Sequence, residues 1–191
     1  MSTSIVVLRV ASLLVFAGPI LLTIGGRRRE RSRKGDRCGG DRIPVLANLA
    51  AFGLFLAFLA AFADNADGLV ALLLASCGCL LAIAGAALVL RSRIELGSAW
   101  SFVPMADRGT GLVTTGPYRF VRHPIYLGLS MMVMGEALAF GSWPAVIVVF
   151  CAIVPTFVWR ASAEERLLAH TFGPRHAHYR RRTKMVVPYL V

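Results

Sequence analysis

The 191-residue sequence is 57% hydrophobic and carries a formal net charge of +11, with a mean hydropathy of +0.66. Such a composition excludes a water-soluble domain and a disordered chain, and leaves a single integral membrane domain. The charge alone would suit nucleic acid, but the basic residues fall at the ends of apolar runs. Anionic lipid and membrane orientation account for that placement, so nucleic-acid binding is set aside.

Apolar stretches that approach the ~20 residues of a bilayer-spanning helix run over about Ile5–Ile24, Ile43–Ala63, Leu69–Leu90, Pro124–Phe140 and Pro144–Trp159. The predicted fold class is all-α, a polytopic membrane protein with five transmembrane helices, because only helices satisfy their own backbone in lipid. Met1–Leu22 has no basic leader and no small-residue cleavage site, so it reads as a retained first helix. The next loop carries Arg27, Arg28, Arg29, Arg31, Arg33, Lys34, Arg37 and Arg42, an orienting, solvated run or a headgroup site. Asp64–Gly68 carries no basic residue, the segment Arg91–Arg122 is basic again, and so is the tail after Trp159. Five spans therefore place every Lys and Arg except Arg9 on one side. By the positive-inside rule the N-terminus lies outside and the C-terminus in the cytoplasm, with a bacterial inner membrane as the default and an organellar one as the alternative.

In the third span, Gly78, Ala82, Gly85 and Ala86 read as a close helix-packing face. Cys38, Cys77, Cys79 and Cys151 form no C-x-x-C pair and read as small buried hydrophobes, with no metal site. Residues 1–191 form one domain, in which 1–96 supply scaffold helices and 97–191 the catalytic half.

The polar chemistry concentrates in Gly111–Gly128, GLVTTGPYRFVRHPIYLG, which holds Tyr118, Arg119, Arg122, His123 and Tyr126. Pro124 suits the first turn of a helix and biases His123 away from helix, so His123 sits at the mouth of the fourth span. The free N–H groups of that first turn suit an anionic or polar ligand group. Folding the fourth and fifth spans into a hairpin at Ser142 pairs position 124 with about 160 and 119 with about 165. Arg160 and Glu164 then share a helix face, with Glu165 about 100° away. On one account these groups form a site. On the other, Glu164 and Glu165 merely pin the hairpin through Arg119 or Arg122. Glu136 lies inside the fourth span, near its outer end, as a functional suspect or a snorkelling side chain.

These two stretches, GLVTTGPYRFVRHPIYLG and AEERLLAHTFGPRHAHYRRRT, resemble the isoprenylcysteine carboxyl methyltransferase family, polytopic S-adenosylmethionine-dependent enzymes related to phospholipid methyltransferases. The resemblance covers roughly Gly97–Val187. It implies a cytoplasmic cofactor pocket lined by Thr110, Gly111, Leu112, Val113, Tyr118, His123, Pro124, Ile125 and Tyr126. It also implies that Arg160 and Glu164 act at the methyl-transfer site and, with Glu165, hold a lipid-like or prenylated acceptor. Eukaryotic members carry a longer acidic run where this chain has Glu164-Glu165 alone, which bears on the acceptor rather than the cofactor. Phospholipid N-methylation, a nicotinamide-dependent membrane lipid reductase and a non-catalytic membrane subunit stay as alternatives, and the oligomeric state stays open.

The topology is checked by a cysteine-accessibility scan. Residues 27–42 should label from the cytoplasmic side, and labelling from outside would overturn the five-span arrangement.

Overall fold

The computed structural model describes residues 3–30, 43–64, 68–97 and 111–186, and among them every extended element is helical. The order is α1 (Thr3–Glu30), α2 (Ile43–Ala61), α3 (Leu69–Leu96), a 3-10 turn (Gly116–Arg119), α4 (Pro124–Ala139), α5 (Trp143–Val148), a π segment (Val149–Ile153), α6 (Val154–Phe172) and α7 (Pro174–Arg182). The rods from α5 to α6 form one continuous 30-residue helix. That helix and α3 are long and apolar enough to cross a membrane, whereas Thr3–Ala17, Leu46–Ala61 and Pro124–Ala139 are shorter apolar helices. Only a third of each long helix's apolar window is buried. Ile94 (71% exposed), Leu80 (67%) and Ile147 (62%) point outward, which suits a lipid surround and not water.

Expected boundaries shift at three helix ends: α1 runs on from Ile24 to Glu30, and two others bear on the site. The third span was read to Leu90, but α3 runs on to Leu96. The fifth was read to Trp159, but its helix continues to Phe172, where Gly173 at φ 48° ends it. Both overshoots carry charged turns beyond the apolar run, and both reach the site described below. Within the long helix, Pro155 has no N–H to give the carbonyl four residues back. The π segment just before it absorbs that mismatch.

The bundle is organised around the contact of α3 with α4. A Cβ on Gly78 would lie 2.4 Å from the Gly135 carbonyl oxygen, and one on Gly85 would lie 2.5 Å from that of Gly128. The two contacts share one antiparallel register and recur every seven residues, two turns of each helix. Glycine lets the backbones touch where lipid offers no hydrophobic drive between helices. The packing face expected on the third span is thus met by a glycine pair on α4. A second core joins Phe55 of α2 to Val133, Ala145, Ile153, Phe157 and Ala161.

The end of the bundle opposite His123 is closed by polar groups from α1. Arg9 donates through Nε to the Ala139 carbonyl at 3.0 Å and through Nη2 to the Asp64 carbonyl at 2.5 Å. Its guanidinium also lies over the Phe140 ring, 5.3 Å from the centroid. A cation is well placed on the last carbonyls of a helix, so Arg9 ties α1 to the ends of α4 and α2. Glu136 does not snorkel. It is 1% exposed and accepts a 3.1 Å hydrogen bond from Ser12 Oγ of α1, because α1 covers the face that snorkelling would need. Of the cysteines expected to be buried, Cys79 is, while Cys77 and Cys151 face outward. An outward thiol costs little on an apolar surface. Cys38 lies outside the described residues.

Gly78→Ala should destabilise the folded protein by about 1–3 kcal/mol, the usual penalty of overpacking, because its new methyl meets backbone on α4. Gly53→Ala, with nothing within 4 Å of the added methyl, should be neutral or gain up to ~1 kcal/mol from helix propensity. Thermal melting in detergent checks both, and equal effects at the two positions would refute the register.

Candidate functional site

His123 occupies the N-cap position of α4, at φ −124°, with Pro124 next in the first turn. The segment before it is fixed by the chain's C-terminal part. Arg122 N–H donates to the Lys184 carbonyl at 2.8 Å and His123 N–H to the Met185 carbonyl at 2.9 Å. Tyr179 of α7 donates its hydroxyl to the Tyr118 carbonyl at 2.6 Å, and Arg122 Nη1 donates to the carbonyls of Thr183 and Arg180. From α3, Glu95 accepts from the Thr115 hydroxyl. Gly116, at φ 57°, turns so close over Glu95 that a Cβ would lie 2.7 Å from its Oε2. The overshoot of α3 therefore holds the loop's start and α7 holds its end.

Between these supports, α6 presents Glu164 and Glu165 to the two edges of one imidazole. His123 Nδ1 lies 3.5 Å from Glu164 Oε2, and Nε2 lies 3.2 Å from Glu165 Oε1. A neutral imidazole would aim a lone pair at one of the carboxylates; only the imidazolium donates to both. Burial by itself would lower the His123 pKa, but the bonds to Glu164 and Glu165 outweigh it and hold the ring above its ordinary value. Glu165 Oε1 also takes the Arg122 Nε–H at 2.7 Å. Glu164 Oε1 accepts the Tyr126 hydroxyl at 2.5 Å and faces Arg160 Nε at 3.4 Å.

An aromatic ladder backs the ionic row. His123 stacks on Tyr126 at 5.7 Å between centroids, and Tyr126 stacks on Phe157 at 5.3 Å. Phe52 of α2 meets Phe157 at 6.0 Å, which ties the scaffold helices to the site. The Arg160 guanidinium lies 5.8 Å from the centroid of the Tyr126 ring.

The structure thus brings together Tyr118, His123, Pro124, Tyr126, Arg160, Glu164 and Glu165. Gly111, Leu112 and Val113 lie in the irregular segment that leads into Gly116, and Ile125 follows Pro124 in the first turn of α4. Thr110 is outside the described residues. The hairpin register differs from the expected one: His123 meets residues 164 and 165 rather than 161. Side chains lean toward the N-terminus of their own helix, so the glutamates reach back about a turn. The alternative in which Glu164 and Glu165 pin the hairpin through Arg119 or Arg122 describes one oxygen of Glu165, which meets Arg122, while Glu164 serves His123, Tyr126 and Arg160. Sequence reasoning missed Glu95, His176 and Tyr179. Glu95 and Tyr179 gave no signal beyond their polarity, because what they hold is remote in sequence.

The fold and the site define a helical, membrane-type scaffold with an ionic cradle at one end. The same fold occurs in the structure of the eukaryotic intramembrane Ras methyltransferase ICMT, isoprenylcysteine carboxyl methyltransferase. The match has a TM-score of 0.57 and 20% identity, and covers 76% of this chain and 52% of that one. A profile of the phospholipid methyltransferase family matches residues 73–175, and the chain belongs to that family. Protein-S-isoprenylcysteine O-methyltransferase of Schizosaccharomyces pombe is 26% identical over 99 residues, which are 51% of this chain and 42% of the relative. The chain spans about half the length of these two relatives.

Removing Glu165 leaves the Arg122 guanidinium, 8% exposed, without its buried counter-charge, so Glu165→Ala should cost ~3 kcal/mol or more. A raised histidine pKa stabilises the fold in full below its unfolded value of ~6.5. That stability is lost as the pH rises through the folded value. The melting temperature of the wild type should therefore fall, relative to His123→Gln, from neutral to alkaline pH. Parallel profiles would show that the imidazolium is absent.

Proposed function

We propose that the chain is an S-adenosylmethionine-dependent methyltransferase that methylates the carboxylate of a lipid-like, prenylcysteine-type acceptor in the membrane. The observation that carries this is the position of Glu164, which joins the histidine and tyrosine of the loop-and-α4 side to Arg160 of α6. The outcome is a guanidinium pinned over an aromatic face, next to an outward apolar surface. That arrangement suits a carboxylate on an apolar tail. The names of the Schizosaccharomyces pombe relative and of the structural neighbour support the same acceptor class.

The residues present fit the cofactor in kind. When bound, S-adenosylmethionine supplies an electrophilic methyl group on a sulfonium. Tyr118 or Tyr126 would lend an aromatic ring and Glu164 a negative charge, both favourable to that cation. Gly111, Leu112 and Val113 supply half-exposed to exposed backbone outside any helix, and Tyr118, His123, Pro124 and Ile125 form the wall beside them. In this assignment Arg160 draws in the acceptor carboxylate, Glu164 fixes Arg160, and Glu165 keeps the loop in register from behind. An acceptor that is already an anion needs no base, so the task of the chain is alignment and exclusion of water. Every oxygen of the two glutamates faces a cation, a hydroxyl or an imidazole, which suits charge placement rather than proton abstraction.

The family description favours a second acceptor, the amine of a phospholipid headgroup. Amine methylation releases a proton, which in this reading Glu164 or Glu165 would take at the expense of one of those contacts. In both readings 97–191 form the catalytic half on the scaffold of 1–96, with five spans, the N-terminus outside and the site facing the cytoplasm.

S-adenosylhomocysteine should raise the melting temperature of the purified protein, and His123→Ala and Tyr126→Ala should each weaken that binding at least tenfold. The wild type should methylate an N-acylated S-prenylcysteine in preference to phosphatidylethanolamine. Unchanged cofactor affinity in both variants would refute the pocket assignment, and the reverse preference would establish the amine acceptor.

A further inference from the structure

Behind the ionic row, on the side of α7, lies a histidine that the proposed chemistry does not use. His176 is 2% exposed, and its Nε2 has no hydrogen-bond partner among the described residues. That nitrogen lies 3.6 Å from Glu165 Oε2, just beyond bonding range. The other oxygen of the same carboxylate carries both Arg122 and His123. The groups therefore form one row running from α7 through α6 and the loop into α4: His176, Glu165, His123, Glu164, Tyr126.

We propose that His176 is a positioning residue, which by closing this short gap to donate to Glu165 Oε2 keeps Oε1 shared between Arg122 and the His123 imidazole. The physical argument rests on competition for one carboxylate. The Arg122 guanidinium can take both oxygens of a carboxylate in a fork, the strongest geometry open to it. If Glu165 turned to accept that fork, its bond to His123 Nε2 would be lost and the imidazole would keep only Glu164. A donor seated on Oε2 blocks this rotation. His176 suits the role because its surroundings favour the neutral ring. Burial lowers its pKa; Glu165 opposes this, but Arg122 and Arg180 add to the lowering. It can thus present an N–H to Oε2 without adding a second cation beside Arg122. Its backbone is fixed as well, since Tyr179 and Thr183 on the following turns bind the Tyr118 carbonyl and the Tyr179 carbonyl.

Among the described residues, the charged and titratable groups around this pair are Glu164 and Glu165 of α6 with Arg160 beside Glu164, Arg122 of the loop, Tyr126 of α4, and Tyr179 and Arg180 of α7. The relevance of His176 to methyl transfer rests on the reading of His123 as part of the cofactor pocket, whereas its effect on His123 does not.

The test is the titration of the histidine side chains in the full-length protein in detergent, by nitrogen-15 NMR of labelled histidine, of which the chain has four. His176→Phe fills the space without a donor, and His176→Gln restores an N–H at similar reach. In His176→Phe the His123 pKa should fall by about one unit, a tenfold loss of proton affinity. In His176→Gln it should stay at the wild-type value. The alkaline limb of methylation by the same proteins should move with it. An unchanged His123 titration in His176→Phe, or equal shifts in the two variants, would overturn the proposal. A wild type that titrates as expected yet methylates neither acceptor would remove the enzyme reading and leave the positioning role standing.

Discussion

One buried imidazolium, His123, held at both edges by carboxylates adjacent in sequence, is the constraint on which the site depends. Residues 164 and 165 project about 100° apart from α6 and would ordinarily serve different neighbours. A protonated histidine resolves this because its two N–H groups also point apart, so a single ring fits between the two glutamates. Each glutamate then carries the contact further. Glu165 ties the ring to Arg122 and the C-terminal segment, and Glu164 ties it to Tyr126 and Arg160. Four separate parts of the chain share one charge balance. The loss of any single member exposes a buried charge, which costs far more than an exposed pair would.

This ionic cradle needs helices that do not slide. The glycine contacts of α3 and α4 fix their register through backbone contact, and Arg9 with Ser12 closes the far end of the bundle from α1. At the near end the overshoot of α3 brings Glu95 under Gly116, and α7 returns to hold Tyr118 and Arg122. The loop that carries His123 is therefore supported on both sides by helix ends that extend beyond the apolar runs. Such support is what a pre-organised site requires, since misplacement by an ångström is costly in an alignment-driven reaction.

Much of this was legible from particular residues. The apolar runs gave the helices, Pro124 gave the start of α4, and the Gly-Ala stripe gave the packing face of α3. Other features were not legible. The hairpin register came out about three residues off, because side-chain lean and the π segment before Pro155 do not follow from counting residues from a turn. Glu136 looked free to reach an interface, and only the position of α1 over it shows that it cannot. His176 sits in the basic stretch after Trp159, and its burial depends on α7 folding back under the loop.

By itself, then, the sequence determined the helical class, the family resemblance and which residue types carry the chemistry. Apolar period, proline position and local motif are properties of contiguous stretches. The tertiary structure decided which glutamate holds which cation, how the two long helix ends brace the loop, and that His176 belongs to the site. Most of those depend on distances between residues some ten to sixty positions apart, and only the packed register of the helices sets them.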